Sequence, residues 1–269
     1  MAGGTKAPVA LISGGSSGIG LEVARLLRQR GFDLHIAARD TARLESARAD
    51  LLAAPGGRIE VHPLDVADSS ACEALVTALL AREGRIDWLV TSAGMVEPGM
   101  FLDQPPEVFQ RHMQINYFGT LNLVSPVSKA MAAAGTGRIV LISSAAAFTG
   151  IVGYAAYCPS KAAVKALGEA LYAELGAHGI SVSVAFPPDT DTPQLAAEQA
   201  NKPEVTKQIT AGGGVLSAGQ VAQAIVEGAG SGRLVVAPGL LMQLFSWVYS
   251  LYAPFFLRLQ GRILKKTTI

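Results

Sequence analysis

The chain has 269 residues, half of them apolar, and a formal net charge of +1 at pH 7. This length predicts one large α/β domain, and the near-neutral charge gives no reason to expect nucleic acid as a partner. Two cysteines, Cys72 and Cys158, fit a reducing compartment without a disulfide framework. The four histidines show no metal-ligand spacing, so we predict no metal site, and the N-terminus carries no recognisable secretion signal.

The first elements along the chain are an apolar run, a glycine-rich turn and a helical pattern. The run Val9–Ser13 is followed by the spacing G-x-x-x-G-x-G and then by a helical pattern that reaches Arg30. Glycines let the backbone approach a pyrophosphate closely, and a helix N-terminus offers free N–H groups and a positive dipole. This unit therefore predicts a dinucleotide phosphate site. Its residues are Gly14, Ser16, Ser17, Gly18, Ile19 and Gly20.

The second apolar run, residues 34–38, ends in Arg39 and Asp40. An acidic residue at this position binds a free ribose 2′-OH, whereas an arginine accommodates a 2′-phosphate. Arg39 therefore favours NADP(H), with Arg43 in support, and the adjacent Asp40 leaves NAD(H) open. After the third run, Asp65 and Val66 are predicted to meet the adenine, although Asp65 can equally cap the helix that begins near residue 69.

Further along, Tyr157 and Lys161 lie four residues apart, and Ser144 precedes the tyrosine by thirteen residues. Spacing of four on a helix brings two side chains onto one face. A lysine ammonium beside a tyrosine favours the phenolate, so we expect Lys161 to lower the tyrosine pKa from about 10. Ser144 can then hold a substrate oxygen while Tyr157 transfers the proton.

Apolar runs alternate with helical patterns throughout, which predicts a parallel sheet covered on both faces. We expect a Rossmann-type, doubly wound, mostly parallel seven-stranded sheet, with ligands beyond the carboxyl ends of its strands. The strands are predicted near residues 8–13, 34–38, 58–63, 87–92, 138–143, 181–186 and 233–237. The helices are predicted near residues 18–30, 41–54, 69–83, 105–134, 154–177 and 217–228.

In this order, the motifs resemble the short-chain dehydrogenase/reductase family from about Val9 to Ala237. The residues that carry the resemblance are Ser13-Gly-Gly-Ser-Ser-Gly-Ile-Gly20, Ser92-Ala-Gly94, Asn116, Ser144 and Tyr157-x-x-x-Lys161. The resemblance implies a nicotinamide cofactor and a Ser144–Tyr157–Lys161 site, with Asn116 supporting a water-mediated proton relay. It also implies cofactor contacts from Ala93, Gly94, Tyr157, Lys161, Pro187, Thr190 and Thr192. Two positions depart from the family pattern, Ser92 in place of asparagine and Pro188 in place of glycine.

The segment Phe186-Pro-Pro-Asp-Thr-Asp-Thr-Pro193 is similar to one in the 3-ketodihydrosphingosine (3-dehydrosphinganine) reductases. That similarity implies NADPH-dependent reduction of a long-chain amino ketone. Asp189 and Asp191 are expected near the cofactor or near the substrate amine, or else as caps of the next helix. The alternatives are a reductase of another lipophilic ketone, such as a 3-oxoacyl thioester or a steroid, and a non-catalytic NADPH-binding scaffold. The intact catalytic set argues against the scaffold.

We expect a catalytic domain over residues 1–239, in which residues 188–216 form a mobile substrate lid with a glycine hinge or a variable surface loop. Residues 240–269 form an apolar and basic tail. Residues 240–257 carry no charge, and a polar stripe of Gln243, Ser246 and Ser250 lies on one helical face. Pro254 is expected to kink this helix.

This pattern predicts peripheral membrane contact through residues 240–266, on the cytoplasmic side. Packing on a partner subunit of a homo-oligomer and roofing of the substrate site are the alternatives.

Overall fold

The computed structural model describes residues 6–267, without the side chains of residues 213, 240, 241, 245, 247 and 267. Two aromatic side chains of the predicted tail, Phe245 and Trp247, therefore lie outside the described residues. The main sheet has seven parallel strands in the order β3-β2-β1-β4-β5-β6-β9. These strands are β1 Val9–Ser13, β2 Asp33–Ala38, β3 Ile59–Pro63, β4 Trp88–Thr91, β5 Gly137–Ile142, β6 Ile180–Ala185 and β9 Val235–Val236. The order confirms the predicted doubly wound fold.

Helices cover both faces of this sheet. They are α1 Gly18–Gln29, α2 Thr41–Leu52, α3 Ser69–Glu83, α4 Pro106–His112, α5 Gly119–Ala134, α6 Tyr157–Gly176, α7 Pro193–Asn201, α8 Glu204–Thr210, α9 Ala218–Gly230 and α10 Leu240–Thr267. Successive strand side chains point to opposite faces. On β1, Leu11 joins a core beneath α3, α5 and α6, whereas Ala10 and Ile12 join a core beneath α1, α2 and α9. The strand order reverses between β1 and β4, which opens a crevice at their carboxyl ends.

The predicted helix over residues 105–134 is interrupted. α4 ends at His112, the π-helical turn Met113–Phe118 follows, and α5 begins at Gly119. Single π-turns inside helices often mark functional sites. This one carries the buried Asn116, whose side chain bonds to residues distant in sequence, so helical periodicity gives no sign of the turn.

The segment predicted as a loop-like lid, residues 188–216, is mostly folded. It contains α7, α8 and the short parallel pair β7 Thr190–Asp191 and β8 Leu216–Ser217. Thr192 caps α7 by accepting a hydrogen bond from the Leu195 N–H, so neither aspartate of this segment has the capping role that was one of the alternatives. Mobility of the segment stays a prediction.

The C-terminal helix α10 continues through Pro254 as one element, where the sequence predicts a kink. Its inner face packs against the rest of the fold, because Met242 is buried and Tyr249 lies 5.2 Å from Phe148 between ring centroids. Buried Gln260 accepts a hydrogen bond from the Val152 N–H and donates one to the Gly150 carbonyl. Within residues 6–267, no helix combines the length and apolar character needed to cross a bilayer.

Candidate active site

The turn between β1 and α1 forms a cradle at the crevice. Gly14 has φ +68°, and a Cβ there would lie 2.6 Å from the Ala93 nitrogen. A Cβ on Gly20 would lie 2.3 Å from the Gly14 carbonyl oxygen, so Gly20 supports the turn from behind. Ser17 precedes α1 without capping it through its side chain. The first N–H groups of α1 are therefore available to an anion.

Beyond this cradle, Arg39 is exposed at the end of β2 and makes no hydrogen bond or ion pair with any described residue. Asp40 instead caps α2 by accepting a hydrogen bond from the Arg43 N–H at 3.0 Å, and it also pairs with the Arg43 side chain at 3.3 Å. Its carboxylate is thus engaged within its own helix. The arginine, rather than the aspartate, is free to meet a ribose substituent.

The role of Asp65 is clarified by its neighbour. Asp68, not Asp65, caps α3, by accepting a hydrogen bond from the Ala71 N–H at 2.9 Å. Asp65 accepts a hydrogen bond from the Ala67 N–H at 3.0 Å and lines the crevice beside Val66. This position favours the adenine-side alternative over the helix cap.

Asn116 connects the loop after β4 to the start of α6. Its amide accepts a hydrogen bond from the Met95 N–H and donates to the Met95 carbonyl and to the Ser160 hydroxyl. Ser160 in turn donates to the Tyr157 carbonyl at 2.7 Å. Gly94 fits against this group, since a Cβ on it would lie 3.1 Å from the Asn116 oxygen and 3.4 Å from the Lys161 nitrogen. Asn116 therefore positions Tyr157, and the water relay stays a prediction.

The structure brings the predicted catalytic trio together. Ser144 follows β5 and lines the same cavity as Tyr157, the first residue of α6. One turn further along α6, the Lys161 nitrogen lies 5.9 Å from the Tyr157 ring centroid and donates to the Ile142 carbonyl at 3.1 Å. The phenol thus shares the cavity with the Ser144 hydroxyl and has an ammonium on its own helical face.

Burial, rather than the lysine charge, dominates the acidity of this tyrosine. It raises the pKa of Tyr157 above its ordinary value, the Ser144 hydroxyl opposes this rise, and Glu198 adds to it. Burial also lowers the pKa of Lys161 to about 8. The expected net lowering of the tyrosine pKa is therefore wrong for this structure, because a buried phenolate loses more hydration than the nearby charge restores. A phenol that keeps its proton is suited to act as an acid.

The segment after β6 closes the other side of the crevice. The Pro187 carbonyl accepts a hydrogen bond from the Ala145 N–H at 3.0 Å, which fixes the segment beside Ser144. The Thr190 hydroxyl donates to the Pro188 carbonyl at 2.8 Å. Thr192 approaches the phosphate cradle, because a Cβ on Gly18 would lie 2.9 Å from its methyl group.

These elements enclose one cavity of about 970 Å³. All the predicted cofactor and catalytic residues line it except Gly20, which lies behind the turn, and Asn116, which lies behind the tyrosine. The predicted residues that line it are Gly14, Ser16, Ser17, Gly18, Ile19, Arg39, Arg43, Asp65, Val66, Ala93, Gly94, Ser144, Tyr157, Lys161, Pro187, Thr190 and Thr192.

Two further groups of residues line the cavity and were not predicted from the sequence. One is polar: Tyr154 lies 5.7 Å from Tyr157 between ring centroids, and its hydroxyl donates to Glu198 of α7. The other is the apolar wall that α10 contributes. Its members are Met242, Leu244, Val248, Tyr252 and Phe256. The spacing of four from residue 244 to residue 256 indicates that these side chains share one face of a helix. The sequence does not indicate which surface of the protein that face contacts.

A cluster of histidines lies away from this cavity. The neighbouring strands β2 and β3 bring His35 and His62 within 3.0 Å between ring nitrogens, with Glu60 beside them, and all three ligand atoms lie within 4.8 Å. Residue spacing hid this group, because strand pairing joins positions distant in sequence. Glu60 already pairs with Arg82 at 2.6 Å. The absence of a bound metal stays a prediction.

Comparison with known proteins identifies the family. The protein-family model with the description short chain dehydrogenase matches residues 8–203 of this chain. A 3-ketodihydrosphingosine reductase of Dictyostelium discoideum is 34% identical, over 91% of this chain and 82% of the relative. A 3-dehydrosphinganine reductase of Danio rerio is 36% identical, over 85% of this chain and 70% of the relative.

Among solved structures, a short-chain dehydrogenase from Sphingobium yanoikuyae in complex with NADPH has a TM-score of 0.79 at 30% identity, covering 93% of this chain and 95% of that one. A variant of actinorhodin polyketide ketoreductase with NADPH has a TM-score of 0.79 at 31% identity, covering 87% and 97%. Together with the Ser144–Tyr157–Lys161 site at the edge of a doubly wound sheet, these matches show that the chain is an oxidoreductase and belongs to the short-chain dehydrogenase/reductase family.

Proposed function

We propose that this chain reduces the 3-keto group of 3-dehydrosphinganine, a long-chain amino ketone, with NADPH as the reductant. The observation that carries the proposal is the continuity of one cavity. The dinucleotide cradle, the catalytic trio and the apolar wall of α10 all line this cavity. The similarity to reductases named for this substrate supports the same conclusion.

The residues present fit NADPH. Because Gly14 has no Cβ, the turn can lie directly against the backbone of the loop that follows β4. The N-terminus of α1 is open to a phosphate. The guanidinium of Arg39, which has no partner among the described residues, suits a 2′-phosphate, because arginine forms charge-assisted hydrogen bonds to phosphate oxygens. When bound, NADPH supplies the hydride.

The protein's own groups handle the oxygen and the proton. Ser144 binds the carbonyl oxygen, and Tyr157 donates its proton to that oxygen as negative charge develops on it. Lys161, on the same helical face, stabilises the phenolate that remains. The chain of hydrogen bonds from Asn116 through Ser160 to the Tyr157 carbonyl keeps the start of α6 in place.

The wall that α10 provides suits an alkyl chain. Leu244, Val248, Tyr252 and Phe256 line the cavity at intervals of four residues, so one stripe of the helix faces it. Burial of each methylene of an alkyl chain against such a wall stabilises the complex by about 0.8 kcal/mol. A long acyl-derived chain therefore gains more from this cavity than a compact ketone does.

A second stripe on α10 supports peripheral membrane contact. Leu251 is 75% exposed and Phe255 is 67% exposed, and Leu259 continues the same line. The basic residues Arg258, Arg262, Lys265 and Lys266 are exposed on this part of the helix. Basic side chains near an anionic surface contribute about 1 kcal/mol each, in addition to the burial of the apolar stripe. A substrate that resides in a membrane is then available beside the cavity wall.

NADPH oxidation by the purified protein tests the activity. We expect turnover with 3-dehydrosphinganine to exceed turnover with a 3-oxoacyl thioester or a steroid ketone. Tyr157→Phe should lower kcat by roughly 10² to 10⁴, the usual contribution of a positioned acid, without changing the Kd of NADPH. A Tyr157→Phe variant that keeps most of its activity would refute the assigned mechanism, and preference for another ketone would refute the substrate.

Co-sedimentation with anionic liposomes tests the membrane contact. We expect the double variant Leu251→Asp, Phe255→Asp to stay in the supernatant while its thermal stability is kept, because both side chains are exposed. Leu52→Asp, an exposed leucine on α2, is the matched control and should sediment like the parent protein. Equal sedimentation of all three proteins would rule out this stripe as the contact. A homo-oligomer stays a separate prediction, which light scattering in solution checks.

A further inference from the structure

One wall of the catalytic cavity carries a polar group that the mechanism does not use. Tyr154, Glu198 and Asp189 line the cavity beside Tyr157, and Lys202 lies behind them with its side chain fully buried. The Lys202 nitrogen is 2.8 Å from a Glu198 oxygen and 3.8 Å from an Asp189 oxygen. It also lies 5.5 Å from the centre of the Tyr154 ring.

The charges of this group do not balance. Glu198 has close partners, since it pairs with Lys202 and accepts the hydrogen bond from the Tyr154 hydroxyl. Asp189 has only the longer ion pair, and its carboxylate accepts no hydrogen bond from any residue that the structure describes. Two carboxylates therefore share one ammonium, and Asp189 carries the uncompensated negative charge into the cavity.

Asp189 is held firmly in this position. Its backbone carbonyl accepts a hydrogen bond from the Leu216 N–H at 3.0 Å, and the carbonyl of the preceding Pro188 accepts one from Thr190. Its side chain is 35% exposed, so it remains accessible from the cavity. Burial raises the pKa of Asp189, with Lys202 opposing and Glu198 adding to the rise. A cation bound in the cavity would compensate the negative charge of Asp189 and favour the ionised form of its carboxyl group.

We propose that Asp189 binds the protonated amine of the substrate and so selects 2-amino ketones over neutral ketones of the same length. This inference rests on the proposed function, because it assigns a role within the same cavity. The amine of such a substrate lies on the carbon next to the carbonyl. When Ser144 and Tyr157 hold the carbonyl oxygen, the nitrogen must therefore lie close to Tyr157, in the cavity that Asp189 also lines. Among the carboxylates of the polar group, Asp189 has the weaker partner and so is the one that can accept the ammonium.

The comparison of two ketones on two proteins tests the assignment. The substrates are 3-dehydrosphinganine and the same hydroxy ketone without its amino group, assayed by NADPH oxidation at equal detergent concentration. We expect Asp189→Asn to lower kcat/KM for the amino ketone roughly ten- to hundredfold, the usual effect of losing a hydrogen bond to a charged group. The desamino ketone should be reduced by the variant as well as by the parent protein.

Asp191→Asn is the matched control, because Asp191 is an exposed aspartate two residues along the same segment. It should leave both ketones unaffected. An equal loss on both ketones in Asp189→Asn, or no loss on either, overturns the assignment. The parent protein's rate on the amino ketone reports the proposed function by itself: if it reduces only the desamino ketone, the proposed substrate and the amine site both fail. A normal Kd of NADPH in Asp189→Asn shows that the variant is folded.

Discussion

Gln260 offers a direct test of whether α10 forms part of the catalytic fold in solution. The side chain is 2% exposed, accepts a hydrogen bond from the Val152 N–H at 2.8 Å and donates to the Gly150 carbonyl at 2.9 Å. These two bonds join the helix to the loop that leads into Tyr154 and the catalytic tyrosine. Gln260→Ala leaves the half-buried Val152 N–H and Gly150 carbonyl without that partner.

The expected size of the effect follows from these two contacts. Each hydrogen bond contributes about 0.5 to 1.5 kcal/mol, because water can replace it at these half-buried groups, so local docking should weaken by about 1 to 3 kcal/mol. The amide of Val152 then exchanges its hydrogen roughly 5- to 150-fold faster, because exchange follows the free energy of local opening. The activity of Gln260→Ala should fall with it, since the loop supports the cavity wall.

Hydrogen exchange measured at single-residue resolution provides the assay. Gln243→Ala is the matched control, because Gln243 is an exposed glutamine on the same helix and its removal should leave the Val152 exchange rate as it is. If Gln260→Ala and Gln243→Ala both exchange like the parent protein, α10 does not hold the 150–152 loop in solution. In that case α10 would not form a stable wall of the cavity either.

Three further outcomes are expected. Arg39→Ala should raise the Kd of NADPH roughly tenfold and leave the Kd of NADH unchanged in a fluorescence titration, because only NADPH carries the 2′-phosphate that the guanidinium is expected to bind. Gly14→Ala should abolish NADPH binding and lower the Tm in a thermal melt, since φ is +68° and the added Cβ would lie 2.6 Å from the Ala93 nitrogen. Lys161 has a folded-state pKa of about 8 against an ordinary 10.5, so the unfolded chain binds more protons between these values. Denaturant unfolding should therefore show the parent protein gaining up to about 3 kcal/mol over Lys161→Met as the pH rises from about 8 to about 10.5.

The dinucleotide end of the molecule was predictable because its physics is local. A sharp turn next to a phosphate needs glycine, and Gly14 and Gly18 adopt the positive φ that glycine readily takes. The four-residue spacing of Tyr157 and Lys161 likewise fixes their common face once the helix is known. Alternation of strands and helices then places these motifs at one edge of the sheet, so few assumptions were needed.

The acidity of Tyr157 shows where this kind of reasoning stops. Sequence reveals the charged neighbour Lys161 but not the extent of burial, and burial has the larger effect on the pKa. The same limit applies to Glu198 and Lys202. Their spacing of four suggests an ordinary surface ion pair, whereas the fold buries the lysine against Tyr154 and next to the catalytic residue.

The C-terminal helix has one feature that the sequence predicts, its apolar character, and one that only the fold reveals, the surface that each side of it meets. In the sequence this helix shows one broad apolar face, and Gln260 is simply a polar residue that interrupts the pattern. In the structure the inward side, with Met242 and Tyr249, packs on the fold, and Gln260 is among the most buried residues of the helix. The outward side, with Leu251 and Phe255, remains exposed. A helix that closed the cavity and had no other role would need only the inward side, and a simple membrane anchor would need only the outward one. The presence of both on one helix is what a reductase requires if its substrate is to pass from a lipid surface to the catalytic tyrosine.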